Sequence, residues 1–319
     1  FGLLGRDFRY RRFHTHPSEH TVWATCANGG EAAAPAFGKA AQVYNVIDSR
    51  QSYLQEVVAA GLRALGFHGQ ADRSVHFSYE IVALSPRCAA EMGYELSAED
   101  AKRSHIEVSG RKGLGVKADD LLDRLEAAAR SEVDQRHPQV PDAERAAMAH
   151  AIAIGALRYF LLKYTRNTVI AFDFKDALSF EGETGPYCQY AVVRARSITS
   201  KSLERFPMYS LDELASQVPE DAIKTYLQPP RGDAIWELVL LAGALGAQVE
   251  AGVAAQEPAF VAKYAFQLAQ IFNNFYHKHH ILSTGETALR GFLLMLNDLV
   301  ERQLVLALSL LGIEAPERM

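Results

Sequence analysis

Between residues 41 and 84 the hydrophobic pattern changes period twice. AQVYNVID (41–48) is a β-rich run, and QSYLQEVVAAGLRALGF (51–67) spaces its apolar residues as one helix face, ending near Gly66. SVHFSYEIVAL (74–84) returns to a strand-like pattern with partial alternation. Strand, helix, strand predicts a parallel pair, whose ligand site lies beyond the strands' carboxyl ends. Here that means Asp48 to Gln51 and the region after Leu84. From about residue 117 the pattern is helical: VKADDLLDRLEAAARSEV, then AERAAMAHAIAIGALRYFLLKY, then a short β-like NTVIAFDF.

The next helix opens in TGPYCQYAVVRARSI, with Thr184 and Gly185 as candidate caps and Pro186 in its first turn. Tyr187, Gln189, Tyr190, Arg194 and Arg196 interrupt its small apolar residues, which is unusual for a plain core helix. DAIWELVLLAGALGAQVEAGV, EPAFVAKYAFQLAQIFNNFYHKHHIL and ETALRGFLLMLNDLVERQLVLALSLLGI each predict a further helix. In the middle one Phe260, Tyr264, Leu268, Ile271 and Phe275 form an apolar stripe, beside a polar stripe of Gln267, Gln270, Asn274 and Lys278. Proline-bearing breaks at 137–141, 207, 219 and 229–230 separate the helical stretches.

Composition adds little to this picture. The 319 residues are 49% hydrophobic and 22% charged, ordinary for a globular chain with room for two domains. No apolar run reaches the roughly 20 residues that span a bilayer, so no membrane role is expected. Cys26, Cys88 and Cys188 are scattered, which favours a reducing compartment such as the cytoplasm and gives no zinc-site spacing. The formal charge is −5, and from residue 185 onward 11 Lys and Arg face 14 Asp and Glu. Any phosphate contact must therefore come from a local patch. Phe1 stands where an initiator methionine is expected, so more chain is expected upstream.

Four segments carry candidate chemistry. In HIEVSGRKGLGVKADDLL (105–122) glycines surround Arg111 and Lys112, as in a loop that closes over polyphosphate, although this segment taken alone reads more simply as a solvated basic turn between strand and helix. It lacks the Gly-Lys-Ser/Thr ending of a P-loop. In VIDSRQSYLQ, Asp48 and Gln51 suit a guanidinium or amide ligand, or Asp48 caps the helix while Gln51 faces solvent. In AQIFNNFYHKHH, amides and Tyr276 suit unpaired RNA bases; the alternatives are a core helix with a wet back, or a metal at His277 and His280. GRDFRYRRFHTHPSEH (5–20) reads as an exposed hairpin, with metal binding by His14 and His16 as the rival.

The order of VYNVIDSRQS, VHFSYEIVAL, VSGRKG, ALRYFLLKY, TGPYCQYA and LAQIFNNFYHKHHIL resembles the arginyl-tRNA synthetases along essentially the whole chain. The final LLGIEAPERM is similar to that family's carboxyl terminus. The resemblance implies the second half of a class I Rossmann catalytic domain (1–120), connecting helices (121–184) and a helical anticodon-binding domain (185–319). It implies ATP and Mg2+ as cofactors, L-arginine and tRNA(Arg) as partners, no DNA, and a monomer.

By position, Arg111, Lys112 and Ser109 match the catalytic loop, with Gly113, His76 and Tyr79 beside ATP. Gln51 and Asp48 fall on the arginine-binding turn, Asp48 chiefly to order it. Tyr187, Gln189, Arg194, Gln270, Asn273 and Tyr276 fall where the family faces tRNA. Glu107, Val108 and Ser109 stand where the family often has Lys-Met-Ser, so one cation is missing. The family's HIGH-type motif and arginine-gripping segment do not occur in the chain, so it is expected to be an amino-terminally truncated piece, inactive alone. A non-catalytic tRNA-binding relative and another class I synthetase with the same helical domain are the alternatives.

Overall fold

A computed structural model describes residues 9–38, 40–107, 117–206 and 210–319, apart from the side chains at 211, 214 and 215. The chain divides into two compact units, Phe1–Tyr79 and Glu80–Met319.

In the first unit, strands β1 (Arg9–Thr15) and β2 (Thr21–Cys26) form an antiparallel hairpin, with a register shift between Arg12 and His14. Strands β3 (Val43–Asp48) and β4 (Ser74–Tyr79) pair in parallel, in register from Val43 opposite Ser74 to Asp48 opposite Tyr79. They are joined by a 3-10 turn (Ser49–Gln51) and by helices α1 (Ser52–Ala64) and α2 (His68–Asp72), the βαβ order expected. Parallel strands are ordinarily covered on both faces. Here Tyr44 and Val46 of β3, and Tyr53, Leu54, Val57 and Val58 of α1, are exposed, and α1 buries no residue.

The 74–84 run is not one strand, as its pattern suggested. After Tyr79 the backbone changes partners: the Glu80 amide donates to the Arg166 carbonyl, and β5 (Val82–Leu84) pairs in parallel with β6 (Ile170–Phe172) in the second unit. Helix α3 (Pro86–Glu91) follows, its Ser85 hydroxyl accepting from the Cys88 amide. Helices α4 (Ala118–Arg136) and α5 (Asp142–Leu162) pack together over β5 and β6, with Leu125, Ile152, Ala156, Phe160 and Phe172 in one core.

After α6 (Phe174–Ala177) comes the bundle: α7 (Gly185–Arg205), α8 (Leu211–Ser216), α9 (Glu220–Tyr226), α10 (Arg231–Ala242), α11 (Leu245–Ala255), α12 (Ala259–Lys278) and α13 (Thr287–Leu310). A second core, including Val192, Leu238, Leu268, Phe272, Leu294 and Leu304, lies among α7, α10, α12 and α13.

Three expectations need correction. The 233–253 stretch is two helices bent by 42°, because the Ala244 amide turns back to the Leu241 carbonyl and closes α10 with a tight turn. The α12 stripe is displaced: Tyr264, Leu268 and Phe275 are buried, but Phe260 is exposed and Ile271 half-buried, with Ala265, Ala269 and Phe272 completing the face. Finally, α5 is long and apolar enough to cross a bilayer by length and composition. Eight of its residues are buried against neighbouring elements, and half of its apolar stretch is covered by protein.

Helices α5 and α7 of the second unit approach backbone to backbone. A β-carbon on Gly185 would lie 2.3 Å from the Gly155 carbonyl oxygen, and one on Gly155 would lie 2.5 Å from the Gln189 amide nitrogen. Only hydrogen fits at either position. We expect Gly185→Ala to destabilise the chain by about 1–3 kcal/mol through overpacking, read as a lower urea midpoint.

Candidate functional site

The carboxyl ends of β3 and β4 gather the first group. Register places Asp48 opposite Tyr79, and Gln51 follows within one turn. Asp48 caps that turn: its Oδ1 accepts from the Arg50 amide and from Arg50 Nε, and its Oδ2 from Arg50 Nη2, each at 2.8 Å. Hydrogen bonds from the Arg50 side chain, then from its backbone, hold the Asp48 carboxyl down at about 2. Gln51 makes no side-chain cap and is half-buried at the start of α1. Tyr79 is exposed at the strand end, while His76 Nε2 donates to the Ile47 carbonyl at 3.0 Å, tying β4 to β3.

Asp48, Gln51 and Tyr79 thus lie at one strand end, with His76 further back along β4, and Asp48 is engaged by Arg50 in the bidentate way a ligand guanidinium would use. Ser109, Arg111, Lys112 and Gly113 of the basic loop lie outside the described residues.

The second group is in the bundle. Thr184 fixes the start of α7: its Oγ1 accepts from the Tyr187 amide at 3.2 Å and donates to the Ser179 carbonyl at 2.6 Å. Beside it Lys163 Nζ donates to the Glu183 carbonyl at 2.9 Å, and burial lowers the lysine's pKa. With α7 so anchored, Tyr190 and Arg194 fall one turn apart on one face. The Arg194 guanidinium lies 4.8 Å from the Tyr190 ring centre and 5.5 Å from that of Tyr276 on α12. Its Nη1 donates to Asn273 Oδ1 at 2.7 Å.

Arg194, Asn273 and Tyr276, expected together from separate segments, therefore form one contact, with exposed Gln270 a turn away and exposed Asn274 next in sequence to Asn273. Asn273 is itself buried and serves to orient Arg194. Tyr187 packs half-buried against Phe266, ring centres 5.5 Å apart.

Gln189 does not belong to this surface. It is fully buried, and its Nε2 donates to the Ala151 carbonyl at 2.9 Å and to the Glu314 carbonyl at 2.6 Å. The amide fills the space left by Gly155, so it joins helices and cannot meet an RNA. Two residues were passed over in assigning roles. Tyr190 was legible as an aromatic four residues before an arginine. Arg196, by contrast, bonds to the Ala315 and Pro316 carbonyls and to Glu301, contacts too distant in sequence to foresee.

The start of α3 is tied to the residues that follow β6. Asp173, nearly fully buried, accepts from Ser85 Oγ, from Arg87, and from the Lys175 and Asp176 amides. Burial pushes its carboxyl up, but the bonds from Arg87 and Ser85 outweigh that and its pKa is lowered. Among the described residues no three His, Cys, Asp or Glu converge to hold a metal; the rings of His14, His16 and His20 lie near one another at the hairpin end.

Residues 188–319, which include the helical bundle, match the DALR anticodon binding domain family. The preceding α/β part extends the likeness: over its full length the chain is similar to arginyl-tRNA synthetases. It is 31% identical over 321 residues to the arginine–tRNA ligase of Thermococcus kodakarensis, covering 100% of this chain and 45% of that protein. It is 34% identical over 303 residues to an arginine–tRNA ligase of Thermus thermophilus, covering 92% and 44%. Among solved structures, Thermus thermophilus arginyl-tRNA synthetase superposes with a TM-score of 0.72 at 28% identity, over 98% of this chain and 46% of that one. Arginyl-tRNA synthetase from Plasmodium falciparum shares the fold, with a TM-score of 0.63 at 19% identity over 88% and 41%. The chain spans about 45% of the length of the curated relatives it matches.

The Asp48 cap yields a test within this chain. Removing Arg50 (Arg50→Ala) should return the Asp48 pKa from about 2 towards 3.8, followed by NMR of the side-chain carboxyl. Because folding lowers this pKa, the pair's contribution to stability is present above pH about 4 and is lost as the pH falls through the folded value.

Proposed function

We propose that this chain is the tRNA-binding and partial catalytic portion of an arginine–tRNA ligase of class I. The complete protein joins arginine to ATP as arginyl-adenylate, releasing pyrophosphate, and passes the arginyl group to the terminal ribose of tRNA(Arg). The observation that carries this reading is the Arg194 cation held between Tyr190 and Tyr276 and anchored by Asn273, on a domain matched as anticodon-binding. A pinned guanidinium between two aromatic faces, with exposed amides alongside, is chemistry suited to unpaired bases and phosphate.

In this proposal Arg194, Tyr276 and Gln270 meet the anticodon loop, Tyr187 supports the helix junction, and Asn273 positions Arg194. Gln51 takes part in holding arginine, with Asp48 ordering the turn. His76, Tyr79 and Gly113 lie beside ATP, and Arg111, Lys112 and Ser109 belong to the loop that closes on its phosphates, where positive charge offsets the charge building on pyrophosphate. The strand-end location suits this, since ligands of open α/β sheets bind beyond carboxyl ends. Mg2+ would accompany ATP, and no residue of this chain is assigned to it. We place the enzyme in the cytoplasm, on the strength of its three unpaired cysteines, and read it as a monomer.

Two measurements test the reading. Arg194→Gln and Tyr276→Ala should each weaken binding of an anticodon stem–loop by about tenfold, the scale of one lost base stack; unchanged binding would remove the anticodon assignment. Neutralising Arg111 and Lys112 together in the complete enzyme should slow arginine-dependent ATP–pyrophosphate exchange by about a hundredfold or more. The 319-residue chain alone should support no such exchange.

A further inference from the structure

The hairpin of β1 and β2 carries chemistry that neither the anticodon site nor the strand-end site uses. On a chain of net charge −5, Arg9, Arg11 and Arg12 fall within four residues, all exposed. Arg12 is occupied: its amide donates to Glu31 at 2.7 Å and its guanidinium lies 4.0 Å from the same carboxylate. Arg9 and Arg11 have no acidic partner among the described residues. They share one ribbon face with His14, and the residues opposite them in register are Cys26, Ala24 and Val22, none of which offers neutralising charge.

Between Arg12 and His14 the register shifts, and the extra residue is Phe13, 73% exposed. A bulge redirects a side chain away from the ladder. Charges and bulges also guard strand edges against pairing, but guarding needs no phenyl ring held in water.

We propose that this hairpin is a second RNA contact, in which Arg9 and Arg11 grip phosphates of a strand while Phe13 stacks on an unpaired base. The partner is the tRNA outside its anticodon arm, and the inference rests on the reading that the protein binds tRNA. Two arginines spaced two residues apart on one strand face sit about 7 Å apart. That separation suits successive phosphates of an extended strand. The aromatic supplies contact that is indifferent to sequence.

The test uses the 319-residue chain with two RNAs: an anticodon stem–loop, and a minihelix that lacks the anticodon arm but keeps a single-stranded 3′ end. Dissociation constants are measured across a salt series for the wild type, Arg9→Gln/Arg11→Gln, Arg9→Lys/Arg11→Lys and Phe13→Ala. The glutamine pair should weaken the minihelix about tenfold and flatten its log–log salt slope by about 1.4, the value for two phosphates of a single strand. The lysine pair should keep the slope. Phe13→Ala should weaken the minihelix without changing the slope. The stem–loop should be unaffected by all three.

An unchanged minihelix slope and affinity in the glutamine pair would overturn the inference. So would an equal loss for both RNAs, or a wild type that binds only the stem–loop; this last result leaves the anticodon reading standing. A wild type that binds neither RNA removes that reading and this inference together.

Discussion

The second unit depends on one place where two helices touch backbone to backbone. At Gly155 and Gly185, α5 and α7 approach so closely that neither tolerates a methyl group, and Gln189 fills the gap left beside Gly155. The contact matters because the two helices belong to different cores: α5 packs with α4, β5 and β6, whereas α7 packs with α12 and α13. Tyr159 reinforces the joint from the α5 side, its hydroxyl donating to the Ala262 carbonyl of α12 at 2.9 Å. Interiors are dense and respond to misfit by discrete shifts, so a joint of this kind sets angle as well as distance. The angle of α7 then decides where Arg194 stands against Tyr276.

This also answers why α7 opens on two tyrosines, a glutamine and two arginines. The helix is read from three sides. Gln189 looks inward to α5 and to the tail at Glu314, while Arg196 reaches the tail at Ala315 and Pro316. Tyr190 and Arg194 look outward, and Tyr187 meets α12. The inner polar residues of this helix therefore tie it to neighbouring main chain, Gln189 to Ala151 and Glu314 and Arg196 to Ala315 and Pro316.

Much of the architecture was legible in local pattern. The β3–α1–β4 order, the long helices and the Thr184 cap follow from periodicity and capping chemistry alone. Where the pattern misled, partners distant in sequence decided the outcome. Nothing in SVHFSYEIVAL announces that Glu80 will leave β3 for Arg166, because the two segments lie far apart in the chain. The length of α5 was missed as well: charged residues near its start interrupt the apolar run in the sequence, whereas the helix is long and apolar enough to cross a bilayer by length and composition. For the sites, residue type was a better guide than role. Asn273 and Tyr276 were visible as an amide and an aromatic on one helix, but that Asn273 holds Arg194 while Gln189 is sealed in the core required the packing of α5, α7 and α12.

The tail beyond α13 is held in an unusual manner. Gly312 takes a left-handed turn at φ +67, and from there Glu314, Ala315 and Pro316 present main-chain oxygens to Gln189 and Arg196. Recognition through the peptide backbone is blind to which side chains the tail carries but sensitive to its spacing. Drift among homologues should thus be permissive for identity at positions 314 and 315 and strict for length, with single-residue insertions or deletions between 312 and 316 purged.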